Sequence, residues 1–166
     1  PISLAALIWP TTPGKGRQGI VSLDGPQHGV HLTLDVTGAT FVVGDEALTT
    51  GTALVERRWY RVWASYDADS GLLSVGQAPL KDAFDADDAA AVTQAIQIPT
   101  LAGRSIIIAA MGTVAAMGSK PVRAHFNGKI ERPFISGSAL TPGEIAEVLA
   151  GQPRSEEHTS ELQSQF

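Results

Sequence analysis

Short runs of apolar residues, each closed by glycine, proline, aspartate or asparagine, follow one another along most of this 166-residue chain. In residues 29–36 the apolar residues occupy every second position, at Val30, Leu32, Leu34 and Val36. Successive side chains of a β-strand point to opposite faces, so this period of two predicts a half-buried antiparallel strand. The same criteria predict strands at residues 3–9, 18–23, 40–43, 58–66, 72–76, 106–110 and 123–135, the last interrupted at Asn127 and Gly128.

Residues 58–66 form the most aromatic of these predicted strands. One face carries Tyr60, Val62, Ala64 and Tyr66, and the other carries Trp59, Arg61 and Trp63. Residues 67–71 contain two aspartates, a serine and a glycine, which predict the turn of a hairpin that returns through residues 72–76. Many short strands separated by turns predict an all-β fold, a sandwich of two antiparallel sheets.

One short helix is predicted near the C-terminus, at Pro142–Ala150. Thr141 and Glu144 have the spacing of a capping box, apolar residues follow at helical spacing, and a glycine comes where the helix is expected to end. Residues 78–99 fit no single element. This segment is either a long loop or is partly helical across residues 87–96.

The two ends of the chain bear on its domain organisation. The sequence opens on Pro1 without an initiator methionine, which indicates that it begins inside a longer reading frame. Residues 154–164 match the translation of a common short-read sequencing adapter codon by codon, and the alternative is a natural polar tail. We therefore expect one domain at residues 1–153, a metagenomic fragment of a larger chain, and an adapter-derived tail at residues 154–166.

Composition excludes several classes of function. The chain has 12 Lys and Arg against 17 Asp and Glu, and without residues 154–166 the net charge is 11 − 14 = −3. Mild acidity without a basic cluster predicts no nucleic-acid partner, and no apolar stretch reaches the roughly 18 residues of a membrane helix. The absence of cysteine excludes thiolate chemistry and favours a reducing compartment, which we expect to be the bacterial cytoplasm.

No group of residues matches a catalytic or metal-binding motif. An acidic cluster consists of Asp82, Asp85, Asp87 and Asp88. It lacks the register and central glycine of a calcium loop, so a solvated loop is favoured over a Ca²⁺ site, and Asp67 and Asp69 are interpreted as turn residues. His28, His31 and His125 lack metal-ligand spacing, which favours a polar surface or loop role. No nucleophile motif and no facing pair of carboxylates is present in the sequence.

The tryptophans offer a candidate binding surface. Trp59 and Trp63, with Trp9 and the nearby tyrosines, are a possible platform for stacking sugar rings. The alternative, which is favoured, is that these large rings pack in the core or cover a sheet. Exposure of Trp59 and Trp63 on one sheet face would favour sugar binding, and their burial would favour packing. No catalytic, cofactor-binding or metal-binding residue is assigned in this chain.

Several motifs resemble one fold family. They are residues 59–67 with their hairpin to residues 72–75, residues 126–130 (FNGKI) and residues 139–145 (ALTPGEI). Together they resemble the laminin-G-like, concanavalin A-like β-sandwich, a jelly-roll architecture. This resemblance implies the fold and says little about a ligand.

A narrower resemblance rests on residues 9–20 (WPTTPGKGRQGI) and 124–130 (AHFNGKI). These blocks are similar to the sandwich domain near the N-terminus of the large subunit of N,N-dimethylformamidase-like amidohydrolases. In that family a later domain holds a single iron ion through Tyr, His and Glu side chains, so the resemblance implies no cofactor within this chain. It implies a non-catalytic accessory or scaffolding domain of an amide hydrolase, with the rest of the parent chain and a small subunit as partners. The alternative is a carbohydrate-binding, lectin-like module.

Overall fold

The computed structural model describes residues 1–24, 29–44, 46–80, 88–97, 105–112 and 122–151. The strands are β1 (Ile2–Pro10), β2 (Gln18–Asp24), β3 (Val30–Asp35), β4 (Gly38–Val43), β5 (Glu46–Thr49), β6 (Tyr60–Asp67), β7 (Leu72–Pro79), β8 (Ala90–Ala95), β9 (Ser105–Ile108), β10 (Met111–Gly112), β11 (Val122–Arg123) and β12 (Gly128–Ser136). A 3₁₀ turn at Pro13–Lys15 follows β1, and an α-helix, α1, spans Pro142–Ala150. None of the described helical segments is long and apolar enough to cross a membrane.

The strands form two antiparallel sheets that pack face to face. Sheet A has the order β12-β1-β6-β7-β8, sheet B has the order β5-β4-β3-β2-β9, and β10 pairs with β11. Strands β12 and β1 pack over β2, β6 and β7 pack over β4, and β8 packs over β5. The predicted all-β sandwich of two antiparallel sheets with one short helix is confirmed.

The core lies between the two sheets because every second residue of the central strands is apolar. Sheet A contributes Ile2, Leu4, Ala6 and Ile8 from β1 and Tyr60, Val62, Ala64 and Tyr66 from β6. Sheet B contributes Val30, Leu32 and Leu34 from β3 and Ala39, Phe41 and Val43 from β4. Burial of apolar area, worth about 25 cal/mol per Å², drives the two faces together. The predicted inward faces at Val30, Leu32 and Leu34 and at residues 60–66 are confirmed. The prediction is wrong for Val36, which follows the end of β3 and is 52 % exposed.

The outer face of sheet B is also buried. His31, Thr33 and Thr40 point away from the core and are nevertheless buried. On the neighbouring strand β2, Ser22 Oγ donates to the Ala110 carbonyl at 2.9 Å, which places residues 109–112 over this face. The antiparallel strand predicted at residues 29–36 is confirmed as β3, but its half-buried character is wrong, because the period of two identifies the apolar face and cannot tell whether the polar face is covered.

Helix α1 covers the outer face of sheet A. Its predicted bounds and capping box are confirmed: Thr141 Oγ1 accepts from the Glu144 amide, and the Glu144 carboxylate accepts from the Thr141 amide at 2.8 Å. Gly151 ends the helix in the left-handed conformation, which glycine adopts without steric cost. The apolar cluster between the helix and the sheet consists of Ala5, Leu7, Trp63, Leu140, Ile145 and Leu149.

The ambiguous segment that begins at residue 78 differs most from the prediction. Its first two residues complete β7, and Ala90–Ala95 forms β8, so both the loop and the partly helical alternative are wrong at residues 90–95. An alanine-rich run has no clear hydrophobic period of its own, so its secondary structure is determined by pairing with β7. In that pairing Val92 lies opposite Val75 and packs against the core. Strand β5 was not predicted for the same reason, since its pairing with β4 defines it.

A buried glutamine joins the two sheets. The side chain of Gln77 on β7 is 1 % exposed, and its Oε1 accepts from the Ala39 amide and from Thr50 Oγ1, each at 2.8 Å. Its Nε2 donates to the carbonyls of Thr52 and Asp88, each at 2.8 Å. All four hydrogen-bonding positions of the amide are filled, so β4, β7 and two loops are held together at this point.

We expect Gln77→Leu to lower the free energy of unfolding by about 3 kcal/mol, because the four partner groups stay buried and lose their hydrogen bonds. Urea denaturation followed by tryptophan fluorescence measures this change. The matched control is Gln94→Leu on the exposed side of β8, which should change stability by less than about 0.5 kcal/mol. Equal effects of the two variants would contradict a structural role for the Gln77 network.

Candidate functional site

The two tryptophans proposed as a sugar platform lie beneath helix α1. Trp63 points outward from β6, is 6 % exposed and packs against Leu140 and α1. Gly76 on the adjacent β7 leaves room for the indole, since a Cβ at that position would overlap the ring. Trp59, just before β6, is half-buried and packs against the same cluster. The burial of these two rings favours packing in the fold over the stacking of sugar rings.

The outer face of sheet A nevertheless holds a small cleft beside Trp63, where the N-terminal end of α1 meets the sheet. Its volume is about 290 Å³, and its hydroxyl-bearing lining residues are Ser65, Ser70, Ser74, Thr93 and Thr141. The Ser74 and Thr93 hydroxyls are hydrogen-bonded to each other at 2.8 Å, and Ser65 Oγ accepts from Ser3 Oγ at 3.1 Å. The cleft therefore combines hydroxyl groups with an apolar lining, and a ligand would have to compete with these internal hydrogen bonds.

Asp67 borders this cleft as part of the β6–β7 turn. Its carboxylate accepts from Ser70 Oγ at 2.6 Å and from the Asp69 amide at 3.1 Å. The hydrogen bond from Ser70 is the largest of the causes that lower the pKa of Asp67. The interpretation of Asp67 and Asp69 as turn residues is confirmed for Asp67, whose oxygens bond the local chain.

The acidic cluster is only partly visible. Asp82, Asp85 and Asp87 lie outside the described residues. Asp88 is buried at the edge of the core, where its carboxylate accepts a hydrogen bond from the Tyr60 hydroxyl, which in turn accepts from the Val55 amide at 3.0 Å. Burial, followed by the hydrogen bond to Asp88, raises the pKa of Tyr60 to about 12. The prediction of a solvated loop is therefore wrong for Asp88, which is buried and is a structural acceptor in the Tyr60 and Gln77 network.

The three candidate histidines do not come together. His28 lies outside the described residues, His125 is exposed, and His31 is buried on the outer face of β3. The predicted surface or loop role is wrong for His31, because the cover over sheet B buries it. Within the described residues no group of three His, Cys, Asp or Glu side chains is placed to hold a metal ion.

The two sequence blocks that resemble the amidohydrolase domain pack against each other. The Thr11 amide donates to the Asn127 carbonyl, and the Asn127 amide donates to Gln18 Oε1, both at 2.9 Å. The Gly19 amide donates to the Ala124 carbonyl at 2.6 Å. Lys129 Nζ lies 5.1 Å from the centroid of the Trp9 ring, a cation–π contact. Residues 9–20 and 124–130 therefore form one structural unit.

Comparison with known proteins gives relatives at the level of sequence. No protein-family model matches the chain. The N,N-dimethylformamidase beta subunit of Paracoccus aminophilus is 31 % identical over 166 residues, and that of Alcaligenes sp. is 27 % identical over 168 residues. Each match includes 90 % of this chain and 22 % of the relative, so the chain spans about a fifth of the length of these curated relatives.

Among solved structures, the chain is similar to the CBM40 of the Ruminococcus gnavus IT-sialidase, which was determined bound to alpha2,3 sialyllactose. The TM-score is 0.56 at 16 % identity, and the match covers 89 % of this chain and 81 % of that chain. At this identity the likeness concerns the fold, and it agrees with the β-sandwich.

We expect Trp63→Ala to lower the free energy of unfolding by about 3–5 kcal/mol, because the ring is buried between sheet A and α1. Trp59→Ala should lower the free energy of unfolding clearly less, since that ring is only half-buried. Chemical denaturation of both variants measures the difference. A Trp63→Ala protein of unchanged stability would contradict the packing role.

The raised pKa of Tyr60 predicts a loss of stability at high pH. The unfolded chain releases this proton near pH 10 and the folded chain near pH 12, so the stabilisation is complete below about pH 10 and is lost as the pH rises through about 12. Denaturation of wild type and Tyr60→Phe across this range measures the effect. The stability of the Phe variant should fall less steeply with pH, and parallel curves would contradict the assignment.

Proposed function

We propose that this chain is a non-catalytic accessory domain of an amide hydrolase similar to the N,N-dimethylformamidase beta subunit, with a scaffolding role. The observation that carries the proposal is the 31 % identity to the Paracoccus aminophilus protein across 90 % of this chain. Because the match takes up only 22 % of that relative, the catalytic machinery has ample room elsewhere in a longer polypeptide.

The geometry of the chain supports a scaffolding role. Amide hydrolysis needs an activated nucleophile or a metal-bound water, together with groups that stabilise the developing charge. In the described ranges the buried Asp88 serves the fold as the acceptor for Tyr60, and no group of three His, Cys, Asp or Glu side chains is placed to hold a metal ion. We assign the iron implied by the family resemblance to another part of the parent chain, and the rest of that chain and a small subunit to its partners.

The proposal extends to the type of sandwich and to the compartment. The FNGKI motif of residues 126–130 belongs to the block that packs against residues 9–20. The ALTPGEI motif of residues 139–145 leads into α1. We include the laminin-G-like, concanavalin A-like jelly roll in the proposal because these two motifs resemble that family. The bacterial cytoplasm is the expected location of the parent protein.

A second candidate function is carbohydrate binding. It is favoured by the hydroxyl-lined cleft beside Trp63 and by the likeness in fold to a carbohydrate-binding module that holds alpha2,3 sialyllactose. Sugar sites typically present an aromatic face to the ligand. Trp63 is 6 % exposed and offers little open ring face, which places carbohydrate binding second.

The first test is to extend the reading frame in the source DNA and express the longer polypeptide beside the 166-residue chain. We expect the longer polypeptide to release dimethylamine from N,N-dimethylformamide and the short chain to release none. Amide hydrolysis by the short chain would contradict a non-catalytic role. A longer frame that encodes sugar-active modules would contradict the amide-hydrolase assignment.

The second candidate is tested on the short chain by isothermal titration with alpha2,3 sialyllactose. We expect no binding heat. If binding is seen, the double variant Ser74→Ala/Thr93→Val should abolish it when the cleft is the site. The matched control, Ser136→Ala/Thr49→Val, also removes one serine and one threonine hydroxyl, but from residues outside the cleft lining. It should leave the binding unchanged.

A further inference from the structure

Strand β9 presents two exposed isoleucines at the edge of sheet B. Ile106 is 62 % exposed and Ile108 is 41 % exposed. They lie opposite Leu23 and Val21 of β2 in the antiparallel pairing. Directly opposed residues share a face, and Leu23 and Val21 belong to the core, so both isoleucines point to the core side of sheet B. We call this pair the β9 rim.

The β9 rim is exposed because sheet B extends beyond sheet A at this side. Strands β12 and β1 pack over β2, and β12 is the last strand of sheet A in the part of the chain that the structure describes. An inward-facing apolar residue that no opposite strand covers remains in water. Among the described strands, none covers sheet B between β12 and β9.

Strand β12, the neighbouring edge of sheet A, is protected against pairing with a further strand, and β9, the edge of sheet B, is not. Strand β12 carries Pro133, a residue of positive φ at Arg132 and a register shift against β1, features that prevent a further strand from pairing. Strand β9, with the sequence SIII, has neither proline nor charge and pairs only with β2 among the described strands. An apolar, unprotected edge strand promotes aggregation when it is exposed to water. Proteins therefore retain such an edge where another segment covers it.

We propose that the β9 rim is the surface through which this domain docks onto the remainder of its own longer polypeptide, which contributes an extended apolar segment. The inference rests on the proposed function, in which the chain is one domain of a larger subunit. Such a segment would pair with the backbone of β9 and cover Ile106 and Ile108.

A second copy of this chain fits the β9 rim less well. Two partly exposed isoleucines per copy supply far less than the roughly 1,200 Å² that stable interfaces between separate proteins bury. A tethered segment needs no such area, because linkage gives it an effective concentration of order millimolar. The relatives, of which this chain spans 22 %, carry ample polypeptide to provide the segment.

Hydrogen exchange on the 166-residue chain and on the longer polypeptide tests the inference. We expect the amides of residues 105–108 to exchange at least about tenfold more slowly in the longer polypeptide. The amides of β5, the other edge of sheet B, serve as the internal control and should not change.

Substitutions in the longer polypeptide sharpen the test. Ile106→Ser/Ile108→Ser should abolish the slowing at residues 105–108. The matched control, Val36→Ser/Leu72→Ser, changes two side chains that are 52 % and 44 % exposed elsewhere and should retain it. Retention of the slowing in the Ile106→Ser/Ile108→Ser protein would overturn the role of the rim.

Two further outcomes would overturn the inference. One is equal exchange at residues 105–108 in both proteins. The other is slowing in the short chain that grows with its concentration, which would identify a second copy as the occupant. Failure of the proposed function is separate, because it is read from the sequence and amide-hydrolase activity of the longer polypeptide. An active hydrolase with an unprotected β9 would refute the docking inference alone.

Discussion

Sheet A has apolar side chains on both of its faces, and this constraint determines much of the remaining structure. Strands β1 and β6 direct Leu4 and Val62 toward sheet B, and they direct Ala5 and Trp63 toward the opposite side. An aromatic side chain buries about 150–250 Å², so leaving Trp63 in water would forfeit a large part of the stability. Helix α1 covers it, and Gly76 lets the ring lie close to β7. The part of the face that α1 covers stabilises the domain and is not free for a ligand.

The parts of the fold that local signals specify could be predicted from the sequence. The capping box of Thr141 and Glu144 lies within four residues, and the period of two in β6 lies within one strand, so each predicts its element without knowledge of the rest. Strands β5 and β8 could not be predicted, because pairing with β4 and β7 defines them. Gln77 looks like an ordinary polar strand residue in the sequence, and its importance comes from Ala39, 38 positions away.

The site was predictable to a smaller extent. The sequence places Trp59 and Trp63 on one side of a strand and favours packing over stacking from the size of the rings, but it does not show what covers them, because the cover comes from a helix far along the chain. The sequence predicts a surface or loop role for His31, because the pattern of residues does not show whether the outer face of β3 is covered. The two resemblance blocks were recognised separately, and their contact, through Asn127 and Gln18 at a separation of 109 residues, is visible only in the folded chain.

The cleft beside Trp63 and the β9 rim differ in what a partner would have to displace. In the cleft, the hydroxyls of Ser74 and Thr93 already bond each other, so a sugar would exchange existing hydrogen bonds for new ones at little net gain. At the rim, Ile106 and Ile108 are in water, and fully burying an isoleucine is worth about 1.5–3 kcal/mol. Covering the rim therefore buries apolar side chains without breaking a hydrogen bond between side chains. This difference favours a domain that attaches to other polypeptide over one that captures a soluble ligand.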